Sequence, residues 1–125
     1  MVDNYVKNAN EEIKKFDHVF LDYDWIETLD ATVNNDTNGT ITSWTQTTDV
    51  LIGCMYDKKK QLDGYWLINA SNPSEKNSKE VGVAFKAATR ALVFVDGEQS
   101  LITLENGIYQ TTLKEGEGQF VIPIQ

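Results

Sequence analysis

Asp22 and Asp24 stand two residues apart, and Asp57 and Asp63 bracket the stretch "DKKKQLD". Two carboxylates about 5–10 Å apart across a cleft are the groups of glycoside hydrolysis, one protonating the leaving oxygen and one acting as nucleophile or base. On a strand Asp22 and Asp24 would share a face, and Asp57 and Asp63 could meet across a hairpin. A small domain with 19 acidic residues generates such pairs by chance, however, and neither pair has a third group or a distinctive spacing. No residue is assigned a catalytic role on this ground.

Nucleophilic and metal chemistry is no better supplied. Cys54 is the single cysteine and His18 the single histidine, so a thiolate–imidazole pair would need two separate elements to meet. Cys54 also lies inside the apolar run "DVLIGCMYD", where a free thiol behaves as a small buried hydrophobe. Asn34, Asp36, Asn38 and Gly39 fall at the first, third, fifth and sixth positions of a calcium loop, but Thr45 stands at the twelfth, where a bidentate Glu is needed. Asn38-Gly39 reads instead as a tight hairpin turn with positive φ at both residues. Gly116-Glu117-Gly118 fails as a phosphate loop, because a strand rather than a helix follows and the central carboxylate opposes an anion. A turn or bulge before the last strand is the better reading. No metal ligand and no cofactor is expected.

The aromatics carry a different chemistry, the stacking of flat sugar faces on exposed rings. Trp44 sits in the Thr-rich "TSWTQTT", Trp25 follows Tyr23 in a mixed strand, and Tyr65 precedes Trp66. Tyr65 and Trp66 should point to opposite faces of their strand, so that one of them faces outward. Trp44, Trp25 and Tyr65 are the candidate sugar contacts. The competing reading is that these rings fill a small core, and it is weakest for Trp44.

Eleven basic residues against 19 acidic ones leave a net charge of −8. That surface repels phosphate backbones and anionic lipid, so neither nucleic acid nor a membrane is an expected partner. Lys58 to Lys60 form the one basic cluster and read as a solvated hairpin loop. No run approaches the roughly 18 apolar residues of a membrane span. The N-terminus lacks the basic-then-apolar order of a signal peptide. The chain is therefore expected to be cytosolic or a piece of a longer protein. The sequons at Asn35, Asn38 and Asn69 would matter only in a eukaryotic secretory route.

Periodicity supplies the elements. Val2, Val6, Ala9, Ile13, Phe16 and Phe20 recur at steps of four and three, the spacing of one helical face. Asp3 or Asn4 can cap its start, while its end is open because "FDHVFLDYDW" could already be extended. From residue 21 the pattern is of some eight or nine short strands with turn signals about every ten residues, which predicts an antiparallel β-sandwich rather than a parallel α/β sheet. The division is thus residues 1–20 as an N-terminal helix and 21–125 as the sandwich. A helix stripe left uncovered would drive weak self-association.

Across "GYWLINASNP", "VGVAFKAATRALVFVDGE" and "LENGIYQTTLKEGEGQFVIPI" the chain resembles the C-terminal β-sandwich domain that follows the catalytic (β/α)8 barrel in many multidomain bacterial glycoside hydrolases. The likeness rests on an apolar strand ending in Asn69 and on Leu113, Gly116-Glu117-Gly118 and the apolar Phe120-Val121-Ile122. It implies that the GEG turn lets the last strand close the sandwich, and that the chain ends where a longer enzyme ends. The first 20 residues would then be the tail of the catalytic region, or a helix that docks on the sandwich. The acid and nucleophile of such enzymes lie in the barrel, so no catalytic residue carries over. The implied function is a non-catalytic accessory domain whose partner is the catalytic domain of a parent glycoside hydrolase. A carbohydrate-binding module using an aromatic such as Trp44 is the alternative, and a free-standing hydrolase the third reading.

Overall fold

The computed structural model describes residues 23–71 and 77–125. The expected helix over residues 1–20 lies outside them, as do His18 and Asp22. The described residues form nine strands: β1 (Tyr23–Leu29), β2 (Ile41–Trp44), β3 (Val50–Asp57), β4 (Leu62–Asn69) and β5 (Lys79–Phe85), then β6 (Arg90–Val95), β7 (Glu98–Thr103), β8 (Ile108–Leu113) and β9 (Gly118–Ile124). They build a six-stranded sheet, β1-β3-β4-β9-β6-β7, and a three-stranded sheet, β2-β5-β8. Every pairing is antiparallel. The mainly β, antiparallel expectation is met.

Alternation along each strand sets which side chains enter the space between the sheets. Ile52 and Cys54 of β3, Tyr65 and Leu67 of β4, Val93 of β6 and Val121 of β9 point inward from the large sheet. They meet Ile41 and Trp44 of β2, Val81, Val83 and Phe85 of β5, and Tyr109 and Leu113 of β8 in one shared core. Two tight turns show why the chain reverses where it does. Asp96-Gly97, with φ of 50° and 79°, joins the paired Val95 and Glu98. Asn106-Gly107, with φ of 55° and 73°, does the same between Glu105 and Ile108. Both are the short loops that the right-handed twist of a hairpin favours.

Asn38-Gly39 behaves differently. Only Gly39 has positive φ, at 74°, and the strands on either side belong to different sheets. Gly39 N donates to Asp36 O at 3.1 Å, a β-turn with Asp first and Gly fourth. It is a turn in a crossover between sheets, not a hairpin. The dipeptide signal was the same; the partner strands decided the outcome.

The outer face of the six-stranded sheet carries an apolar patch of its own. Tyr23, Trp66, Phe94, Phe120 and Ile122 form a second cluster there, flanked by Met55, Leu62, Ile68 and Leu92. Phe120 is its centre: the Tyr23 ring meets it edge-on at 5.3 Å, Trp66 lies 5.2 Å away and Phe94 6.2 Å. Gly64 makes room for this group, since a Cβ there would come within 2.3 Å of the Phe120 ring and 2.7 Å of Tyr23. Gly64→Ala should therefore cost about 1–3 kcal/mol through overpacking, read as a lower urea midpoint. An unchanged midpoint would mean that the aromatic group is looser than described.

Candidate functional site

Polar side chains converge where the 30–40 crossover folds against the start of β4. Asp36 is buried, and both its oxygens are used: Tyr65 Oη donates to Oδ2 at 2.6 Å and Ile41 N to Oδ1 at 3.0 Å. Asp63, two residues before Tyr65 and on the same face, accepts from Asn38 Nδ2 at 3.2 Å and from Thr40 Oγ1 at 2.7 Å. Lys86 N donates to Thr40 O at 2.7 Å and brings the β5–β6 turn alongside. Between these loops and the end of β9 opens a cleft of about 440 Å³, lined by Asn38, Thr40, Gln61, Asp63, Lys86 and Gln125 among others. Its wall is mixed, with Leu62, Ala88, Pro123 and Ile124 beside these polar groups. Asp63 already accepts two bonds in this arrangement, which suits it to anchoring rather than proton transfer.

The proposed carboxylate pair across the β3–β4 hairpin is not formed. Asp57 is paired in register with Leu62, and Asp63 with Tyr56, so the two acids leave opposite faces of the sheet. Asp57 is instead buried and caps its own turn, accepting from Lys59 N at 2.9 Å and Lys60 N at 3.1 Å. Lys58 to Lys60 lie exposed in that hairpin loop. Asp24 is exposed on β1. Cys54 is sealed in the inner core, and burial, with the nearby Asp36 carboxylate, pushes its thiol up to about 12. A thiol so placed is no nucleophile at neutral pH.

The candidate sugar-contact aromatics separate sharply. Trp44, expected to be the most exposed, is only 6% exposed, and its Nε1 donates to Val33 O at 2.7 Å. Tyr65 is buried in the inner core. Neither ring has a free face. Trp66 points the other way from Tyr65, as alternation requires, yet is only 1% exposed. Trp25 alone of the three tryptophans is accessible, at 51%. Its ring lies flat enough on β3 that a Cβ on Gly53 would reach 2.4 Å from it, and its Nε1 donates to Thr28 Oγ1 at 3.2 Å.

A second polar centre lies toward the other end of β4. Asn69 is fully buried; its Nδ2 donates to Asn77 O at 2.8 Å and Leu113 O at 3.0 Å, and its Oδ1 accepts from Ser71 N and Ser71 Oγ. Its backbone is bound to the GEG turn on both sides, Gly116 N donating to Asn69 O at 3.0 Å and Asn69 N to Glu117 O at 3.1 Å. Gly116, at φ 73°, makes that turn. The sequon at Asn69 is thereby closed to a glycan, whereas Asn35 and Asn38 are exposed. Sequence reading missed both polar centres. The only local signal was Asn at the end of an apolar strand with Ser two residues on, an Asx-turn pattern.

Comparison with protein-family models, with curated proteins and with solved structures found no match to this chain.

Two measurements check the Asp36 link. Tyr65→Phe leaves a buried carboxylate oxygen without its donor and should cost roughly 1–3 kcal/mol in chemical unfolding. Alkaline titration gives the second. Burial first, then the adjoining Asp36, raises the Tyr65 phenol well above its ordinary range, and burial likewise raises Tyr23 and Tyr109. These groups hold their protons more tightly folded than unfolded, so their contribution is intact below pH about 10 and is lost as pH rises from there through the folded values. Stability should fall above pH ~10, with the phenolate signal of these three tyrosines appearing only as the chain unfolds. Full phenolate absorbance in a still-folded protein would contradict the burial.

Proposed function

We propose that the chain is a non-catalytic accessory β-sandwich domain of a carbohydrate-active enzyme, standing C-terminal to a glycoside hydrolase barrel. The observation that carries this reading is the junction of Asn69 with the Gly116-Glu117-Gly118 turn. These are the two motifs on which the resemblance rests, 47 residues apart between Asn69 and Gly116 by their numbers in the sequence, and they bind one another directly. The turn delivers β9 into the middle of the six-stranded sheet, between β4 and β6. The last strand is thus a central strand of that sheet, flanked on both sides. The separation of Asp57 from Asp63 onto opposite faces also favours a structural role.

A reading frame encoding a (β/α)8 barrel directly upstream is the expected genetic context, and an assay tests the activity. The repurified chain should turn over no nitrophenyl glycoside in a broad panel. Turnover that survives repurification and disappears with Asp24→Asn or Asp63→Asn would sink the accessory-domain reading.

Glycan binding is the second reading, and Trp25 favours it. One exposed ring braced on Gly53 offers a single stacking face, worth on the order of 1 kcal/mol. If the chain is retarded in affinity electrophoresis by a polysaccharide, Trp25→Ala should weaken that retention by roughly fivefold to tenfold and Trp25→Tyr much less. Retention indifferent to Trp25→Ala would remove the platform from consideration.

A further inference from the structure

The two sheets end in four edge strands, β1 and β7 of the large sheet and β2 and β8 of the small one. An edge presents unpaired N–H and C=O groups, which native proteins blunt with charge, bulges, proline or brevity. β1 carries Asp24 and Glu27 and breaks register between Trp25 and Glu27. β2 is four residues long and slips between Ile41 and Ser43. β7 has none of these devices. It pairs with β6 without a break from Glu98 to Thr103, holds no lysine or proline, and all six of its residues are exposed. Leu101 is 56% exposed and Ile102 37%. β8 is as regular, but it lies over β9, Tyr109 Oη donating to Gln119 Oε1 at 2.7 Å. β6 and β7 therefore project past its edge in the facing layer. A copy paired to β8 about a two-fold axis would drive its own projecting strands into them.

The register of β6 and β7 decides which groups of the β7 edge are free. A two-residue hairpin turn closes on a hydrogen-bonded pair, here Val95 and Glu98. Alternation then makes Val93–Ser100 and Ala91–Ile102 the bonded pairs, and Leu104 N donating to Thr89 O at 2.9 Å continues the series. Gln99, Leu101 and Thr103 fall between them, so their N–H and C=O groups point away from β6. With Leu101 opposite itself across a two-fold axis, Gln99 stands against Thr103 of the second copy. All three residues then exchange main-chain hydrogen bonds. The faces agree as well. Leu101, paired with Leu92 on the outer face, meets its own copy, and Ser100 meets Ile102 on the inner face. Glu98, the one charged residue of the strand, falls opposite Leu104. In a chain of net charge −8, this is an edge at which two copies meet without opposing like charges.

We propose that β7 is a self-pairing edge. Two copies of the chain join antiparallel through Gln99, Leu101 and Thr103, about a two-fold axis at Leu101, and their large sheets become one continuous sheet. The inference does not depend on the enzymatic context proposed above.

Sedimentation equilibrium of the full-length chain over a concentration series tests it, with a monomer–dimer equilibrium expected. Leu101→Lys and Leu101→Glu each set like charges side by side on the axis and should weaken association roughly tenfold or more. An equimolar mixture of the two variants should restore it as a heterodimer. A chain monomeric throughout, a dimer indifferent to either charge, or a mixture no better than its parts would overturn the proposal. Amide hydrogen exchange of the unaltered chain gives a second readout. Ser100 and Ile102, bonded to β6, should exchange slowly at every concentration. Gln99, Leu101 and Thr103 should exchange rapidly in dilute solution, where Leu101 stays exposed, and slow down as the dimer forms. Rapid exchange of all three in a dimeric sample would place the contact elsewhere and overturn the proposal too.

Discussion

A six-stranded sheet whose central strands are apolar on both faces governs this molecule. Strands with one wet face alternate apolar with polar residues; β4 does not, since Gly64, Tyr65, Trp66 and Leu67 are all buried in succession. β9 behaves in the same way from Gly118 to Ile122. Near-continuous apolar strands belong to sheets covered on both sides. The three-stranded sheet supplies one cover. Full burial of a large apolar side chain stabilises by roughly 1.5–3 kcal/mol, so leaving Trp66, Phe94 and Phe120 in water together would consume much of the 5–15 kcal/mol by which ordinary domains are stable.

Polar contacts hold the ends of the same sheet. Near the start of β4, Asp36 fastens the long crossover to Tyr65, and near its finish Asn69 gathers Ser71, Asn77, the end of β8 and the GEG turn. Each group is buried and paired, so removing one partner exposes the other to the cost of an unmet hydrogen bond. Together they place a buried polar support toward each end of that strand. The cleft beside Asp63 and the Trp25 face owe their shapes to the first of these supports and to the edge position of β1.

Strand positions were legible in the sequence because they depend on local alternation and turn chemistry. "VLIGCMYD", "GYWLIN", "RALVFV" and "QFVIPI" announce themselves, as do the Asp96-Gly97 and Asn106-Gly107 turns. Which sheet each strand joins was not legible, because pairing is decided by contacts far apart in the chain. That is why Asn38-Gly39 read as a hairpin and proved to be a crossover. Trp44 misled for a related reason: its Thr-rich neighbours signal an exposed strand, but β2 closes the inner core, and only the partner sheet reveals this. Asp57 and Asp63 illustrate register. With a loop of four residues between β3 and β4, they fall out of step and separate onto opposite faces.

The central claim is that the outer face of the large sheet is an interior surface in the intact chain. Hydroxyl-radical footprinting of the full-length protein, read residue by residue by mass spectrometry, measures it most directly. Trp66, Phe94 and Phe120 should be modified at the slow rate of the inner core, alongside Tyr65 and Phe85, while Trp25 and Leu101 on the same sheet are modified rapidly. Trp66 and Phe120 labelled as fast as Trp25 in a folded monomer would show that face open to water and contradict the account.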